Sequence, residues 1–543
     1  MIKQPPIETA GELQRYDAVV VGAGFAGLYM LHRLRSAGFS VRLFEAADGV
    51  GGVWFWNRYP GARCDVESAD YSYSFDPELE QEWHWPEKFS AQADIMRYTN
   101  HVADRYDLRP HITLSTRVSA AIFDEESKVW EVRTDAGEVV QAGLVFMATG
   151  CLSVARVPDY PGLERFAGQW HHTGAWPHHP VELTGKRVGV IGVGSSGTQL
   201  IPVAAQQAEH LYVFQRTPNF TVPAQNSASD PTDERELKAT YRDRRAFTRN
   251  TASGLNRDMN RVSALEVSEQ ERERVFEENW NGAGFGFILC FSDLLRSHAA
   301  NRTAVAFLAG KIVEAVTDPQ VADLLTPKDY PFGAKRPSVD TGYYGAFNRD
   351  NVTLVDVKAS PIQEITESGI RTSDAEYPLD VLVFATGFDA MTGALARIDV
   401  RGRDGQSLQD KWAAGPRTYL GVATAGFPNL FVIAGPGSPS VLTNVMVSIE
   451  QHVEWLGDLV EHLREKGLAT AEATLEAEND WVEHVNEIAS ATLYPEANSW
   501  YLGANVPGKP RVFMPYPGGL RAYRRKCTEV AEQDYAGFQL TAR

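Results

Sequence analysis

The sequence contains few cysteines and no long apolar segment. Four cysteines occur among its 543 residues, and no two lie within a few residues of each other, which excludes a local CxxC redox pair and a zinc knuckle. Scattered thiols are typical of a reducing compartment, so we expect a cytoplasmic location. No run of about 18 apolar residues is present, so we expect no membrane-spanning helix. The first residues are polar, so we expect no signal peptide.

Positive charge is also scarce. The chain has 52 Lys and Arg against 70 Asp and Glu, a net charge of −18. This balance argues against a nucleic-acid partner and against a membrane partner, since both surfaces attract clustered basic side chains. Hydrophobic residues make up 43% and charged residues 22% of the chain. Together with the length, this composition is typical of a globular enzyme with two or three domains.

The first of two glycine-rich turns follows a short apolar stretch at residues 18–21. That stretch predicts a buried parallel strand, and leucines at helical spacing after the turn predict a helix. The next predicted strand ends at Glu45, whose carboxylate would accept hydrogen bonds from a ribose 2′-OH. Glycines let a pyrophosphate approach the backbone at a helix N-terminus, where free N–H groups favour negative charge. The pattern predicts a dinucleotide site, assigned to FAD, at Gly22, Gly24 and Gly27.

The second glycine-rich turn repeats this pattern within residues 186–220. In place of Glu45 it has Gln215, Arg216 and Thr217. A carboxylate there would repel a 2′-phosphate, whereas an arginine would pair with it, so the second nucleotide should be NADP rather than NAD. The alternative is that Arg216 is an exposed surface residue without a ligand. The predicted NADP contacts in this unit are Gly192, Gly194, Ser195, Ser196, Gly197, Thr198, Gln199, Arg216 and Thr217.

Two further apolar stretches, at residues 144–150 and 381–387, each stop at Ala-Thr-Gly. The simplest arrangement is an α/β fold with two Rossmann-like dinucleotide-binding domains, each closed by one of these strands. The loop at residues 494–511 is rich in Pro, Gly and Asn and is long enough to be a mobile lid. We predict an FAD-binding domain at residues 1–150 and 388–543, an NADP-binding domain at 151–224 and 331–387, and a helical insertion at 225–330.

A chain that binds FAD and NADPH transfers hydride from nicotinamide to flavin, and the electrons must then leave the flavin. Disulfide reductases pass them to a cysteine pair beside the flavin. Cys64 has no neighbouring cysteine and Cys151 follows a strand end, which disfavours that route. Oxygen or an external acceptor remains.

The segment FAGQWHHTGAWP lies between the two predicted nucleotide units. It is similar to the fingerprint F-x-G-x-x-x-H-x-x-x-W-[P/D] of type I Baeyer–Villiger monooxygenases, which are class B flavoprotein monooxygenases. The segments GGVWFWNRYPGARCD, KRP, ATGFD and SWYLGANVPGKP also resemble this family, and the similarity, greatest to phenylacetone and steroid monooxygenases, spans nearly the whole chain. The fixed fingerprint positions are Phe166, Gly168, His172, Trp176 and Pro177.

The resemblance implies an enzyme that uses NADPH and O₂ to insert one oxygen beside a ketone carbonyl, through a flavin C4a-peroxide, giving an ester or lactone. It implies that Arg336 is the catalytic cation, since arginine keeps its proton, and that Asp65 positions it next to FAD. In the family, the fingerprint links domain movement to catalysis; the alternative for His172 is a packing role alone. No spaced cysteine or acid accompanies His171 and His172, so we expect no metal.

The remaining site residues also follow from the resemblance. Lys335 would contact the 2′-phosphate beside Arg216. Trp500 would fold over the nicotinamide nucleotide, or else be an exposed aromatic ring in a loop. Trp54 and Asn444 would lie against FAD, although core packing also accounts for Trp54. The substrate pocket would be lined by Ser440, Val441 and Leu442.

One position departs from the family pattern. Val445 stands where the phenylacetone type has a larger, flexible residue, so the substrate range stays open. Two other functions are considered: a flavin monooxygenase that oxidises nitrogen or sulfur, and a non-catalytic FAD/NADPH redox sensor or uncoupled oxidase. Arg336 and Asp65 argue against a sensor, which has no need of a cation at the flavin. The expected assembly is a monomer or a weakly associating oligomer.

Overall fold

The computed structural model describes residues 13–282 and 284–542 and contains both predicted βαβ units. In chain order the strands are β1 (Gln14–Val21), β2 (Val41–Phe44), β3 (Ile112–Thr113), β4 (Val118–Asp124), β5 (Val129–Thr134), β6 (Val139–Met147), β7 (Gln169–His172), β8 (Arg187–Ile191), β9 (His210–Gln215), β10 (Thr221–Pro223), β11 (Ser338–Asp340), β12 (Val352–Asp356), β13 (Ile362–Ile365), β14 (Gly369–Thr372), β15 (Glu376–Pro378), β16 (Val381–Phe384), β17 (Asp399–Arg401), β18 (Leu430–Val432), β19 (Leu468–Ala473) and β20 (Phe538–Ala542).

The α-helices alternate with these strands, and short 3₁₀ turns connect several of them. In chain order the helices are α1 (Phe25–Ser36), α2 (Val53–Trp56), α3 (Pro77–Glu82), α4 (Gln92–Arg105), α5 (Ser195–Gln207), α6 (Pro231–Thr248), α7 (Glu269–Asn281), α8 (His298–Ala315), α9 (Pro319–Leu325), α10 (Tyr343–Ala346), α11 (Leu408–Lys411), α12 (Val445–Glu465), α13 (Leu475–Ser490) and α14 (Leu520–Glu532).

The first sheet has the order β17-β4-β5-β6-β1-β2-β3, with β18 also paired to β6. Strand β1 lies between β2 and β6 and is parallel to both. The strands β4 and β5 are antiparallel, while β17 and β18 come from the chain beyond the second sheet. One face packs on α1 and α12, where Leu31 and Leu456 are fully buried. This first dinucleotide unit therefore combines segments from both ends of the chain.

The second sheet is parallel throughout, with the order β12-β9-β8-β16-β7. Helix α5 follows β8, and the antiparallel strands β13, β14 and β15 precede β16. The carboxyl ends of β8, β9 and β16 lie side by side at one edge. In open α/β sheets, ligands bind at this edge, so the second dinucleotide unit presents its loops there.

The first glycine of each fingerprint packs against the strand that closes its sheet. Gly22 has a φ of +103°, and a Cβ at this position would lie 2.6 Å from the carbonyl oxygen of Ala148. Gly192 repeats this arrangement, with a φ of +105° and 2.5 Å to the carbonyl oxygen of Ala385. Both alanines begin the Ala-Thr-Gly that follows the neighbouring strand. A side chain would push the turn off that strand, which explains why the two motifs occur together in each unit.

Residues 225–330 contain the helices α6 to α9. The strands β10 and β11 flank this insertion in sequence and pair with each other in parallel. Ser268 begins α7, as the sequence pattern predicts, because its hydroxyl accepts the N–H of Glu271 at 3.2 Å. Ion pairs attach this segment to the rest of the chain: Arg244 and Arg245 of helix α6 pair with Asp70 and Glu80, and Arg249, directly after the helix, pairs with Glu454. Within the described residues, no helix is both long and apolar enough to cross a lipid bilayer.

Candidate active site

The first glycine-rich turn forms an open cradle at the N-terminus of α1. Gly24 begins the helix without a side-chain cap, and Gly52 approaches so closely that a Cβ on it would lie 2.8 Å from the Gly24 Cα. Glu45 follows β2, and its carboxylate accepts the N–H of Ala23 at 2.6 Å and of Ala47 at 2.8 Å. Burial raises the pKa of Glu45, and these amides oppose that shift. The carboxylate keeps further acceptor positions for a ribose hydroxyl.

The second glycine-rich turn divides the predicted NADP residues into two groups. Gly194 is exposed and Ser195 and Ser196 are half-buried at the start of α5, where backbone N–H groups face outward. Thr198 and Gln199 are buried.

The buried pair serves the protein itself. The Thr198 hydroxyl donates to the Val193 carbonyl at 3.5 Å. The Gln199 side chain accepts from the Tyr59 hydroxyl at 2.7 Å and donates to the Arg63 carbonyl at 3.0 Å. Gln199 therefore joins the two dinucleotide units, and its side-chain amide is already occupied.

Arg216, Thr217 and Lys335 lie beyond the carboxyl end of β9. Arg216 is exposed, while Lys335 is half-buried, with its Nζ 4.3 Å from the centre of the Tyr330 ring. Burial, and then the charge of Arg216, lower the pKa of Lys335 to about 8. Neither cation forms an ion pair within 4.0 Å in the described part of the chain. Asp329 acts on Lys335 without pairing with it. Two unpaired cations are suited to attract an anion such as a phosphate.

Arg336 and Asp65 form a bidentate ion pair, although they are 271 residues apart in sequence. The Arg336 Nε and Nη2 donate to the two Asp65 oxygens at 2.8 and 3.0 Å. Its Nη1 donates to the Val441 carbonyl at 2.9 Å, and the guanidinium carbon lies 4.3 Å from the centre of the Phe285 ring. Burial disfavours the charge, but Asp65 outweighs it, so the pKa of Arg336 lies above its usual value. The guanidinium is a fixed cation.

A buried aromatic cluster adjoins this ion pair. Tyr501 is 2% exposed, its ring is 5.9 Å from Tyr494 and 6.1 Å from Phe513, and Met514 packs in the same cluster. Val441 belongs to this cluster, and Leu442 packs against it. The Ser440 hydroxyl instead donates to the Ala434 carbonyl at 3.2 Å and is fully buried.

The sequence analysis missed Phe285, Tyr494, Tyr501 and Phe513. The aromatic residues next to Trp500 in the predicted lid were a usable signal for Tyr494, Tyr501 and Phe513. Phe285 has no such signal, because it comes from the separate helical insertion.

The three remaining side chains predicted to contact a cofactor differ in their burial and in their hydrogen bonds. The Trp54 Nε1 donates to the Tyr71 hydroxyl at 2.9 Å, and the side chain is half-buried. Trp500 is also half-buried, with its ring 4.4 Å from Tyr501. Asn444 is 1% exposed and caps α12: its oxygen accepts the Met446 N–H at 3.1 Å, and its nitrogen donates to the Asp70 carbonyl at 2.7 Å. The side chain of Asn444 is thus already paired.

The fingerprint segment joins the two units. Its strand β7 forms the edge of the second sheet, where His172 pairs with Phe384. Gly168 fits closely, since a Cβ would lie 2.5 Å from the Asp380 carbonyl and 2.6 Å from the Phe166 ring. Trp176, 4% exposed and followed by the half-buried Pro177, donates its backbone N–H to the Trp56 carbonyl at 3.2 Å. The fingerprint segment therefore pairs with the second sheet at β7 and forms a hydrogen bond with the first unit at Trp176.

His172 is uncharged in this arrangement. It is 3% exposed, and burial lowers its pKa to about 4. Its Nδ1 accepts the Gly174 N–H at 2.9 Å, and its Nε2 lies 3.3 Å from the Thr386 hydroxyl. The imidazole thus links the fingerprint to the ATGFD segment.

Known proteins resemble the chain over almost its whole length. The profile of the Flavin-binding monooxygenase-like family matches residues 16–238. A Baeyer–Villiger monooxygenase of Pseudooceanicola batsensis is 45% identical over 527 residues, covering 96% of each chain. Phenazine N-monooxygenase PhzNO1 of Lysobacter antibioticus is 44% identical over 529 residues, covering 97% of each chain. The structure of oxidised steroid monooxygenase bound to NADP matches with a TM-score of 0.94 and 54% identity, covering 98% of this chain and 100% of that one.

These similarities confirm the predicted α/β fold with dinucleotide-binding domains, and they confirm FAD and NADP as the cofactors. They also confirm the reaction class that the resemblance implied. The chain belongs to the type I Baeyer–Villiger monooxygenases of the flavin-binding monooxygenase-like family, which use NADPH and FAD to convert ketones to esters or lactones.

Proposed function

We propose that Arg336 supplies the positive charge at the site of oxygen insertion and that Asp65 holds this cation in place. The observation that carries the proposal is the bidentate ion pair beside the aromatic cluster of Tyr501 and Phe513. A fixed cation in apolar surroundings suits a reaction in which negative charge develops on oxygen. Because Asp65 and the Val441 carbonyl hold three of its N–H groups, the guanidinium is oriented before substrate enters.

The first dinucleotide unit fits FAD. Gly22 and Gly24 leave the turn free of side chains, and Glu45 stands where a ribose hydroxyl would be bound. When bound and reduced by NADPH, FAD supplies activated oxygen derived from O₂. The rings of Tyr501 and Phe513 in the aromatic cluster would exclude water from the site of oxygen insertion. The remaining N–H groups of Arg336 are then free to hold the oxygen of the ketone as it gains charge.

For the nicotinamide nucleotide, we propose that Arg216, Thr217 and Lys335 hold the 2′-phosphate and that Trp500 covers the nucleotide. The support is that neither Arg216 nor Lys335 has an ion-pair partner within 4.0 Å among the described residues, and that Trp500 packs against the aromatic cluster beside Arg336. Ser195 and Ser196 would offer backbone N–H groups to the pyrophosphate.

We also propose the domain limits given by the sequence pattern and a functional monomer or weakly associating oligomer. The pairing of β17 and β18 with the first sheet supports the return of the chain at about residue 388. Sedimentation at several protein concentrations, with activity measured in parallel, tests the assembly.

The apolar surroundings of Arg336 favour an apolar ketone. Tyr501, Phe513 and Met514 are buried in the adjoining cluster, and Tyr494 packs against them. We expect bulky apolar ketones to be turned over with lower KM than small polar ones. A ketone panel with product identification by mass tests this expectation.

The test of the central proposal is Arg336→Ala. This variant should bind FAD and be reduced by NADPH, yet make ester at least about 10²–10³-fold more slowly, the loss seen when one preorganised charge is removed. The oxygen consumed should leave as H₂O₂. Asp65→Ala should show a smaller loss, because Asp65 only positions the cation. Rapid-mixing spectra and product counts give both quantities.

The control is Arg63→Ala, which removes a nearby arginine paired with Glu87 rather than Asp65. It should retain ester formation within a few-fold. Ester formation by Arg336→Ala near the parent rate would contradict the proposal.

Oxidation of nitrogen is the second candidate, because a phenazine N-monooxygenase is similar over the same length. The test supplies a ketone, a thioether and an aromatic amine in separate reactions and measures the oxygenated product of each. Ester as the main product assigns the ketone reaction, and N-oxide formation in large excess assigns the other.

A further inference from the structure

Arg156 is anchored beside the second glycine-rich turn. Its backbone N–H donates to the Gly387 carbonyl at 3.0 Å, and its own carbonyl accepts the Thr386 hydroxyl at 2.5 Å. The preceding residue, Ala155, forms a bridge with Phe388. These contacts hold the connection between β6 and the fingerprint against the carboxyl end of β16. They also fix the backbone position of Arg156.

This position places two arginines around one turn. Strand β8 lies between β16 and β9, and the Gly192 turn follows β8. Arg216 follows β9, so Arg156 and Arg216 approach the turn from opposite neighbouring strands. Carboxyl ends of adjacent parallel strands are where open α/β sheets bind nucleotides.

The cationic side chains near this turn are only partly offset by carboxylates, since Asp389 and Asp329 act on Arg156 and Lys335 without pairing with them. Arg156 is half-buried, and burial, followed by the charge of Arg216, lowers its pKa. Arg216 also lowers the pKa of Lys335. None of the three pairs with a carboxylate within 4.0 Å among residues 13–282 and 284–542, and the neighbouring Asp389 accepts from Lys509 at 2.6 Å instead. Bringing cations together without a directly paired acid is unfavourable unless an anion joins them.

We propose that Arg156 is a third cation of the NADP site and binds a phosphate group of the nicotinamide nucleotide. It would complete a set with Arg216 and Lys335 that surrounds the turn from both sides. The inference rests on the proposed contacts of those two residues, and it adds a residue from the connection that also carries the fingerprint. The phosphate is either the 2′-phosphate or the pyrophosphate, and the experiment separates them.

The test measures dissociation constants of NADP⁺ and NAD⁺ for the FAD-loaded enzyme by equilibrium titration. Arg156→Ala should weaken NADP⁺ binding about tenfold, the lower end of the range for a charge-assisted hydrogen bond. An unchanged NAD⁺ constant assigns the 2′-phosphate, and equal weakening of both assigns the pyrophosphate. Arg156→Lys should recover part of the affinity.

Arg165→Ala is the matched control, because Arg165 lies on the same connection but is paired with Glu364 at 3.1 Å. It should leave both constants unchanged. If Arg156→Ala binds both nucleotides like the parent while Arg216→Ala loses NADP⁺ affinity, the present inference is overturned and the proposed 2′-phosphate site stands. If neither variant loses affinity, both are overturned.

Discussion

Lys335 couples proton binding to nucleotide binding at the scale of a single residue. Its pKa is lowered to about 8 by burial and by Arg216, so a phosphate must bind a group that begins to lose its charge in mildly alkaline solution. Bound phosphate favours the protonated amine. As pH rises through about 8, the free enzyme loses this proton, and binding must then supply it at a cost in affinity.

We therefore predict that the affinity for NADP⁺ falls by up to about tenfold per pH unit above pH 8. The affinity for NAD⁺, which lacks the 2′-phosphate, should not show this fall. Lys335→Arg keeps its charge and should remove the pH dependence while retaining affinity. Titrations at several pH values check this; an identical slope in Lys335→Arg would assign the dependence to another group.

Individual residues differ in how far the sequence predicts them. The positions of Glu45 and Gly22 depend on local backbone geometry, so the short glycine-rich motif is enough to predict them. Arg336 lies in a loop without such a pattern, and only the resemblance to a family identified it. Its contacts with Phe285 and the Val441 carbonyl were not predicted, because the partner segments meet only when the chain is packed. Thr198 and Gln199 follow the motif, yet their side chains face inward.

At the scale of elements, the predicted lid is fastened to the ATGFD segment. The Lys509 ammonium donates to the Asp389 carboxylate at 2.6 Å and to the Ala390 carbonyl at 2.7 Å. The Asn505 amide donates to the Phe388 carbonyl at 2.7 Å. Lys509 is 12% exposed at its side chain, so this attachment is largely shielded from water. The loop that carries Trp500 is thus tied to the segment that also contacts His172.

We predict that Lys509→Met loosens this loop, since a charge-assisted hydrogen bond of this kind contributes about 1.5 kcal/mol. Cleavage by a protease within residues 494–511 should become faster, and more of the consumed NADPH should appear as H₂O₂. Lys509→Arg retains the charge and serves as the control. Mass spectrometry of limited digests and peroxide counts provide the measurements. Equal digestion of Lys509→Met and the parent would show that the ion pair does not hold the loop.

Periodicity predicted the long elements and missed the short ones. The helices α8 and α13 bury apolar residues at helical spacing, Leu308 and Ile312 in α8 and Trp481 and Val485 in α13. The strands β10, β11 and β17 are only three residues long, which is too short for a periodic signal. Their pairing depends on distant segments, so the sequence alone could not place them.

At the scale of the molecule, FAD binding should stabilise the fold. Because FAD binds the first unit only when that unit is folded, an FAD concentration about 100 times its dissociation constant stabilises the protein by about 2.7 kcal/mol. We predict that purified protein is yellow with one non-covalent FAD per chain, and that adding FAD to stripped protein raises the melting midpoint. Absorbance and a thermal scan give both values.

Gly22→Ala should abolish this effect, because its Cβ would collide with the Ala148 carbonyl. Gly137→Ala is the matched control: it also has a positive φ, of +84°, but has nothing within 4 Å of its added Cβ. It should stay yellow. Equal FAD content in the two variants would contradict the proposed flavin cradle.

The first sheet takes β17 and β18 from the chain beyond the second sheet, and β19 pairs with β20 at residues 538–542. This feature has a consequence for synthesis on the ribosome. The second sheet ends at Phe384, so its strands are all available while the nascent chain still lacks strand β18 and helix α12 of the first unit. The unit that is translated first is therefore completed last. The apolar faces of β1 and α1 stay partly exposed until the C-terminal residues are made. During that interval the unfinished first unit exposes apolar surface, the condition under which incomplete chains are prone to aggregate.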